Sequence, residues 1–201
     1  MSQFLKVETV PNGPLRVANC PSLKFGEETI PLTGDAYLCR CGQSARAPFC
    51  DGTHRTAAFS DAVPAREPAP VRVWEGRTIR TTFNPNACMH VFYCKPLDAL
   101  RAEERAGSDA AATEIARVVG SCPSGALTWS AIGEVEVPTQ GHRPMVEVME
   151  GGEIRIQAPF ESTSLPAREG LPEDRATLCR CGLSAAKPFC DGRHKGKKDF
   201  R

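Results

Sequence analysis

The sequence is poor in aromatic side chains, with 9 Phe, 2 Trp and 2 Tyr among 201 residues. Hydrophobic residues still make up 41% of the chain, so it can bury a core, but an aromatic-poor one. Long disorder is not expected from this composition, and the 17 Gly and 17 Pro predict one or two small, loop-rich domains. An excess of charge is missing too. With 25 Lys and Arg against 24 Asp and Glu the formal net charge is +1, so no polyelectrolyte attraction to nucleic acid or anionic lipid is written into the balance. No stretch resembles the roughly 20 apolar residues of a membrane span, and residues 1–16 lack the basic, then apolar, then small-residue order of a secretory signal. The expectation is a cytoplasmic protein with neither membrane nor nucleic acid as a partner.

What the chain does have is cysteine, ten of them. Cytosolic reductants keep thiols reduced, which disfavours disulfides and leaves metal ligation as the direct use of so many. Six of the ten fall into a pattern. Cys39, Cys41, Cys50 and His54 recur as Cys179, Cys181, Cys190 and His194 at a constant offset of 140, within the ungapped pair LCRCGQSARAPFCDGTH and LCRCGLSAAKPFCDGRH. A single Cys20, without partner spacing, reads as a packed thiol.

Residues 71–137 have no counterpart in either copy and carry Cys88, Cys94 and Cys122, which marks an inserted module. The first repeat unit then spans residues 1–63, a stiff Pro-rich linker residues 64–70, and the second unit residues 138–201, entered through the turn-rich PTQGHRP. His142 in that turn reads as exposed. The alternation of Val146 and Val148, then Gly151 and Gly152, then Ile154 and Ile156, predicts a hairpin. Within the insert, residues 71–83 predict a hairpin turning at Glu75 and Gly76. Residues 97–106 predict a helix, and a second helix starts near Ser108 or Asp109 and stops at Gly120. Trp74 and Trp129 are expected in the core of the insert. The fold class is α+β.

In an extended segment residues i and i+2 point the same way, so Cys39 and Cys41 can present both thiolates to one metal while Arg40 faces elsewhere. Cys50 and His54, four apart, share a face if the chain turns helical after Pro48. Two ligand pairs suit two metal ions. A helix starting at Cys50 would aim its free N–H groups at an anionic cluster; Gly42 and Gly52 would let backbone approach, and Ser44 would donate to a cluster sulfur. Gly182 and Ser184 repeat these features in the second copy. Asp51 and Asp191 are expected to cap backbone N–H groups or pair with Arg.

The run Cys39-x-Cys41-x2-Ser44-x3-Pro48-x-Cys50-Asp51-Gly52-Thr53-His54 resembles the CDGSH iron-sulfur domain, the NEET family. That resemblance implies a 2Fe-2S cluster on Cys39, Cys41, Cys50 and His54 and another on Cys179, Cys181, Cys190 and His194. It also implies a β-rich fold in which two CDGSH units pack together, here as an internal pseudo-dimer within a monomer. The second copy departs from the motif at Arg193. A Cys3His zinc site is the competing reading, although zinc ligand pairs are usually two to four residues apart rather than one.

Cys88-x5-Cys94 with Cys122-Pro123 resembles a single-cluster bacterial ferredoxin in which Val91 replaces the middle cysteine of Cys-x2-Cys-x2-Cys. Three thiolates and a valine imply a 3Fe-4S cluster; His90, one place off, would supply the extra ligand of a 4Fe-4S cluster. The plainer alternative is a trio of free thiols packed as small apolar residues.

Replacing one cysteine by neutral histidine leaves a 2Fe-2S site one unit less negative, which places its potential above plant-type ferredoxins and toward the Rieske range. Histidine also couples the site to protons. Two functions follow: a one-electron carrier with several stations, or a store that donates acid-labile 2Fe-2S clusters; a zinc-stabilised interaction module is the third class. The expected partners are redox proteins or apo iron-sulfur proteins. No nucleotide loop, flavin fingerprint or catalytic triad spacing is visible, so an independent enzyme active site is not expected. The C-terminal Arg193, Lys195, Lys197, Lys198 and Arg201 offer either a docking patch for an acidic partner or a solvated tail. Arg193 is expected to disfavour protonation of His194.

Overall fold

A computed structural model of the chain describes residues 4–65, 67–133, 145–166 and 171–196. The predicted boundary at residues 138–144 with His142, and the cations Lys197, Lys198 and Arg201, lie outside the described residues.

Alternating burial builds the first half. Leu5 and Val7 point inward and Lys6 outward on β1 (Leu5–Thr9), which turns back into β2 (Leu15–Ala18) with Val7 opposite Val17. β3 (Ser22–Phe25), β4 (Glu28–Pro31) and β5 (Ala36–Leu38) follow. The insert contributes β6 (Arg72–Glu75), β7 (Ile79–Phe83), α1 (Leu97–Arg105), α2 (Asp109–Gly120) and β8 (Leu127–Ala131). The second half repeats the pattern of the first as β9 (Met145–Val148), β10 (Ile154–Gln157), β11 (Phe160–Glu161) and β12 (Arg175–Leu178). Among the described residues the fold is β-rich with two α-helices and three sheets, an α+β architecture. No helix among the described residues is long and apolar enough to cross a membrane.

The sheets show how the halves interlock. One runs β11-β1-β2-β5 and another β12-β10-β9-β3-β4. After its first hairpin each half sends a strand across: β11 pairs in parallel with β1, and β3 pairs in parallel with β9. The exchange is reciprocal, and it yields one aliphatic core with Val7, Leu15, Val17 and Leu38 from one half and Val148, Ile154, Ile156 and Leu178 from the other.

The insert has its own core. Ile79, Leu97, Ile115, Val119 and Leu127 are buried, with Trp74 and Trp129 packed against them as expected. Ser108 caps α2, its Oγ accepting from Ala111 N at 3.2 Å, and α2 ends at Gly120 as its spacing predicts. β8, which completes the sheet β6-β7-β8, is absent from the sequence-based expectation because LTWSA has only two large apolar residues to signal it. The insert leans on the second half: Arg175 Nη1 donates to Gly120 O at 2.6 Å and Thr177 Oγ1 to Pro123 O at 2.9 Å.

Glu104 joins α1 to the β6–β7 turn. Its buried carboxylate accepts from Arg77 N (3.0 Å), Thr78 N (2.7 Å) and Thr78 Oγ1 (2.9 Å). Burial pushes the Glu104 pKa up, but these hydrogen bonds outweigh it and hold the carboxyl below its ordinary value. Glu104→Ala is expected to lower stability by about 1–3 kcal/mol, because it strands buried donors. Because the folded pKa is depressed, the stabilisation is present above the ordinary carboxylate range and is lost as pH falls through the lowered folded value. Denaturant titration of both proteins at neutral and acid pH checks this; equal midpoints at neutral pH would refute it.

Candidate metal centres

Each repeated motif is a short loop tied to the sheet by its backbone. Cys39 N donates to Pro48 O (2.9 Å) and Cys50 N to Tyr37 O (2.7 Å); Cys179 N donates to Pro188 O (2.8 Å) and Cys190 N to Thr177 O (3.0 Å). The intervening arginines point away from the thiols, as alternation requires. Buried Arg40 donates to Gly13 O and Val10 O, both at 2.9 Å, while Arg180 donates to Gly152 O and Met149 O, both at 3.1 Å. Each arginine thereby ties its Cys-Arg-Cys segment to the first hairpin of its own half.

Two expectations about these loops need correction. No helix starts at Cys50: among the described residues the motifs form only 310 turns, at Thr53–Arg55 and Arg193–Gly196. Backbone hydrogen bonding of Cys50 to the strand partner Tyr37 holds it extended, so the ring is brought back by the turn at Gly52 instead. The hydroxyls of Ser44 and Ser184 do not point at the thiols but donate to Phe49 O (2.6 Å) and Phe189 O (2.7 Å) and brace the loop; it is their backbone N–H groups that donate to Cys39 and Cys179. Asp51 and Asp191 do cap backbone, accepting from Ala45 N (2.8 Å) and Ala185 N (2.9 Å), and Asp51 is held well below the usual carboxylate range by Thr53 first.

Gly42 and Gly182 serve the join between the halves. Cys41 and Cys181 form an antiparallel bridge. A Cβ on Gly42 would lie 3.0 Å from the Cys181 backbone, and one on Gly182 would lie 3.2 Å from Cys41 O. Both have positive φ, 71° and 78°.

The donor atoms come in pairs. Cys39 Sγ lies 3.6 Å from Cys41 Sγ and Cys179 Sγ 3.8 Å from Cys181 Sγ. Cys50 Sγ is 3.3 Å from His54 Nδ1 and Cys190 Sγ 3.4 Å from His194 Nδ1. A tetrahedral ion with bonds of about 2.3 Å to sulfur and 2.0 Å to nitrogen spans about 3.7 Å between sulfurs and about 3.5 Å between sulfur and nitrogen. Each pair therefore fits one metal ion. Among the described residues only Glu153, Cys190 and His194 put three such donors within 4.8 Å of one another, so the two pairs of a motif do not close on a common ion.

In each close pair the thiols share a proton, which lowers the pKa of Cys39 and Cys179 and raises that of Cys41 and Cys181. Burial pushes Cys190 up to about 12. Metal loading displaces these protons.

Cys88, Cys94 and Cys122 line one apolar pocket with Val91, Val118 and Leu127. Positive φ at His90 (55°) and Phe92 (60°) coils the cysteine loop, a conformation rare for residues with side chains. His90 lines the same pocket, its Nδ1 3.8 Å from Cys88 Sγ. Cys20 stands apart, buried and donating to Ser22 O, as a packed thiol.

The second motif is the more enclosed. Cys50 and His54 are partly exposed, whereas Cys190 and His194 are buried. Burial, and not Arg193, is the first cause of the lowered His194 pKa; Arg193 is exposed and pairs with Asp191 at 3.2 Å. Exposed Lys195 reaches the insert, its Nζ donating to His90 O at 2.6 Å. Sequence reasoning missed Glu153, whose Oε2 lies 3.2 Å from His194 Nε2. The acidic residue in GGE, facing proline in the corresponding NGP of the first half, was the available signal.

Neutral imidazole is the ligating form, and a depressed pKa preserves it to lower pH. A Cys50→Ser chain, keeping the second site, is therefore expected to hold its visible absorbance to lower pH than a Cys190→Ser chain, which keeps the first. The reverse order in an acid titration would overturn the ranking.

Residues 12–55 and 135–195, just over half the chain, match a family model described as iron-binding zinc finger, CDGSH type. Residues 74–131 match one described as divergent 4Fe-4S mono-cluster. No curated protein and no solved structure matches the chain.

Proposed function

The chain belongs to the CDGSH-type iron-binding family, and we propose that it is a multi-cluster one-electron carrier. Its stations are a 2Fe-2S cluster on Cys39, Cys41, Cys50 and His54, a second on Cys179, Cys181, Cys190 and His194, and a third cluster on Cys88, Cys94 and Cys122. The observation that carries this reading is that the three ligand sets abut in series. Cys41 bridges to Cys181, joining the two CDGSH sets through backbone. The second set meets the insert where a Cβ on Gly192 would lie 2.5 Å from Met89 O, next to Cys88, and where Lys195 donates to His90 O. The equivalent Gly52 has nothing within 4 Å, so the insert serves the second set.

Two ions per motif are supported over one zinc by the pairwise donor spacing and by the failure of the pairs to converge. When bound, the clusters take up and release single electrons, at potentials raised by the histidine ligands. The chain's own part is to hold thiolates in place, exclude water and keep the sites adjacent. The reciprocal strand exchange and the pairing of repeat-equivalent Cys41 and Cys181 support an internal pseudo-two-fold within a monomer. The central trio alone would hold 3Fe-4S; His90 in the same pocket, together with the matched family description, supports a 4Fe-4S form with His90 at the fourth corner. The proposal includes no independent catalysis; redox proteins are the partners, and the working compartment is the cytoplasm.

Cluster storage and donation is the second reading, favoured by one observation: Cys50 and His54 are partly exposed, which suits release from the first site.

Protein purified without oxygen is expected to be coloured, and Cys50→Ser and Cys190→Ser are each expected to lose one dinuclear cluster's iron. Unchanged iron in either variant removes that motif from the ligand list. Electron paramagnetic resonance of the oxidised protein separates the central forms, a signal meaning 3Fe-4S and silence meaning 4Fe-4S. Reduction by a one-electron donor should outrun cluster transfer to an apo-ferredoxin; the opposite order would replace the carrier by the donor.

A further inference from the structure

The two CDGSH motifs share ligand types but differ at one buried carboxylate. Glu153 Oε2 lies 3.2 Å from His194 Nε2, with the side chains only 3% and 8% exposed. Its other oxygen, Oε1, is held by Arg155, with Nε at 2.8 Å and Nη2 at 2.7 Å. Glu153 ends the β9–β10 turn, where Gly152 N donates to Met149 O and Met149 N to Glu153 O (2.8 Å). In the β1–β2 turn the same bonds run from Gly13 N to Val10 O and from Val10 N to Pro14 O (2.9 Å). The counterpart of Glu153 is therefore Pro14, which carries no carboxylate. Among the described residues no acidic side chain pairs with His54.

Nδ1 of His194 faces Cys190 Sγ at 3.4 Å, so Nδ1 is the nitrogen on the ligand side. A neutral imidazole has one N–H and one lone pair. A carboxylate at Nε2 selects the tautomer with its proton there, turns the Nδ1 lone pair toward the site and makes the ring a stronger electron donor. A stronger donor favours the oxidised metal.

We propose that Glu153 is a positioning residue that makes the two dinuclear sites inequivalent: by accepting the Nε2–H of His194 it orients that ligand and lowers the reduction potential of the second site relative to the first. This rests on the reading of His194 as an iron ligand through Nδ1. Glu153 is assigned no bond to iron, since it meets the ring at the nitrogen opposite the one facing Cys190.

The test uses the full chain, purified anaerobically, in a Cys50→Ser background that leaves the second dinuclear site. Glu153→Gln keeps the volume and an acceptor oxygen but removes the charge. A redox titration followed by electron paramagnetic resonance of the reduced cluster is expected to show the reduction equilibrium shifted at least tenfold toward the reduced form, about 59 mV for one electron. The nitrogen hyperfine coupling of the ligand should change with it. In a Cys190→Ser background, with only the first site intact, the same substitution should leave the potential unchanged. An unaltered potential at the second site overturns the proposal, and so does loss of iron from a folded Glu153→Gln chain, which would make Glu153 a direct ligand. His194→Cys tests the underlying reading separately. If it leaves the spectrum untouched, the ligand assignment fails; if it gives an all-cysteine spectrum, adding Glu153→Gln to it should cause no further shift.

Discussion

The close approach of Cys41 to Cys181 is the constraint on which the arrangement depends. Antiparallel pairing there brings two ligand-bearing segments within a backbone hydrogen bond's reach, and only residues without a Cβ fit beside it, hence Gly42 and Gly182. The buried arginines between the cysteines donate to hairpin carbonyls of their own half and so stiffen the segments that meet. The shared aliphatic core and the exchanged strands β3 and β11 then hold the two halves together as a single body. Ligand geometry and global packing are thus the same interaction seen at two scales.

Near-identical motifs do not give identical sites. The insert docks on one of them, through Arg175, Thr177, Gly192 and Lys195, and in that one Cys190 and His194 are buried while Cys50 and His54 stay partly exposed. Water access differs as a result, and so does the charge around the histidine, where the buried Glu153 pairs with His194 and Pro14 occupies its place in the first half. Burial and a carboxylate act on an imidazole in opposite directions, and here burial is the larger for proton binding.

Much of this was legible in the residues. The offset repeat, the CDGSH resemblance and the grouping of Cys88, Cys94 and Cys122 all stand at the level of family and pocket, and the α2 boundaries follow from a serine cap and a terminal glycine. Such signals survive in sequence because ligation, capping and tight turns each demand particular residue types at fixed short spacing. What local reasoning placed wrongly was orientation. Ser44 and Ser184 brace carbonyls within their own loops, and Cys50 is held extended by Tyr37 where a helix start was expected. Lys195 and Arg193, taken as parts of one basic patch, are separately engaged by His90 O and Asp191.

By itself the sequence determined which thiols and imidazoles group together and that they come in two matching sets with a third set between, since donor chemistry and spacing within a short loop are local properties. Only the tertiary structure decided which set the insert docks beside, that the halves exchange strands, and that Glu153 stands behind His194. Those depend on contacts between residues far apart in the chain, which are set by how the whole surface packs, and no short window of sequence records them.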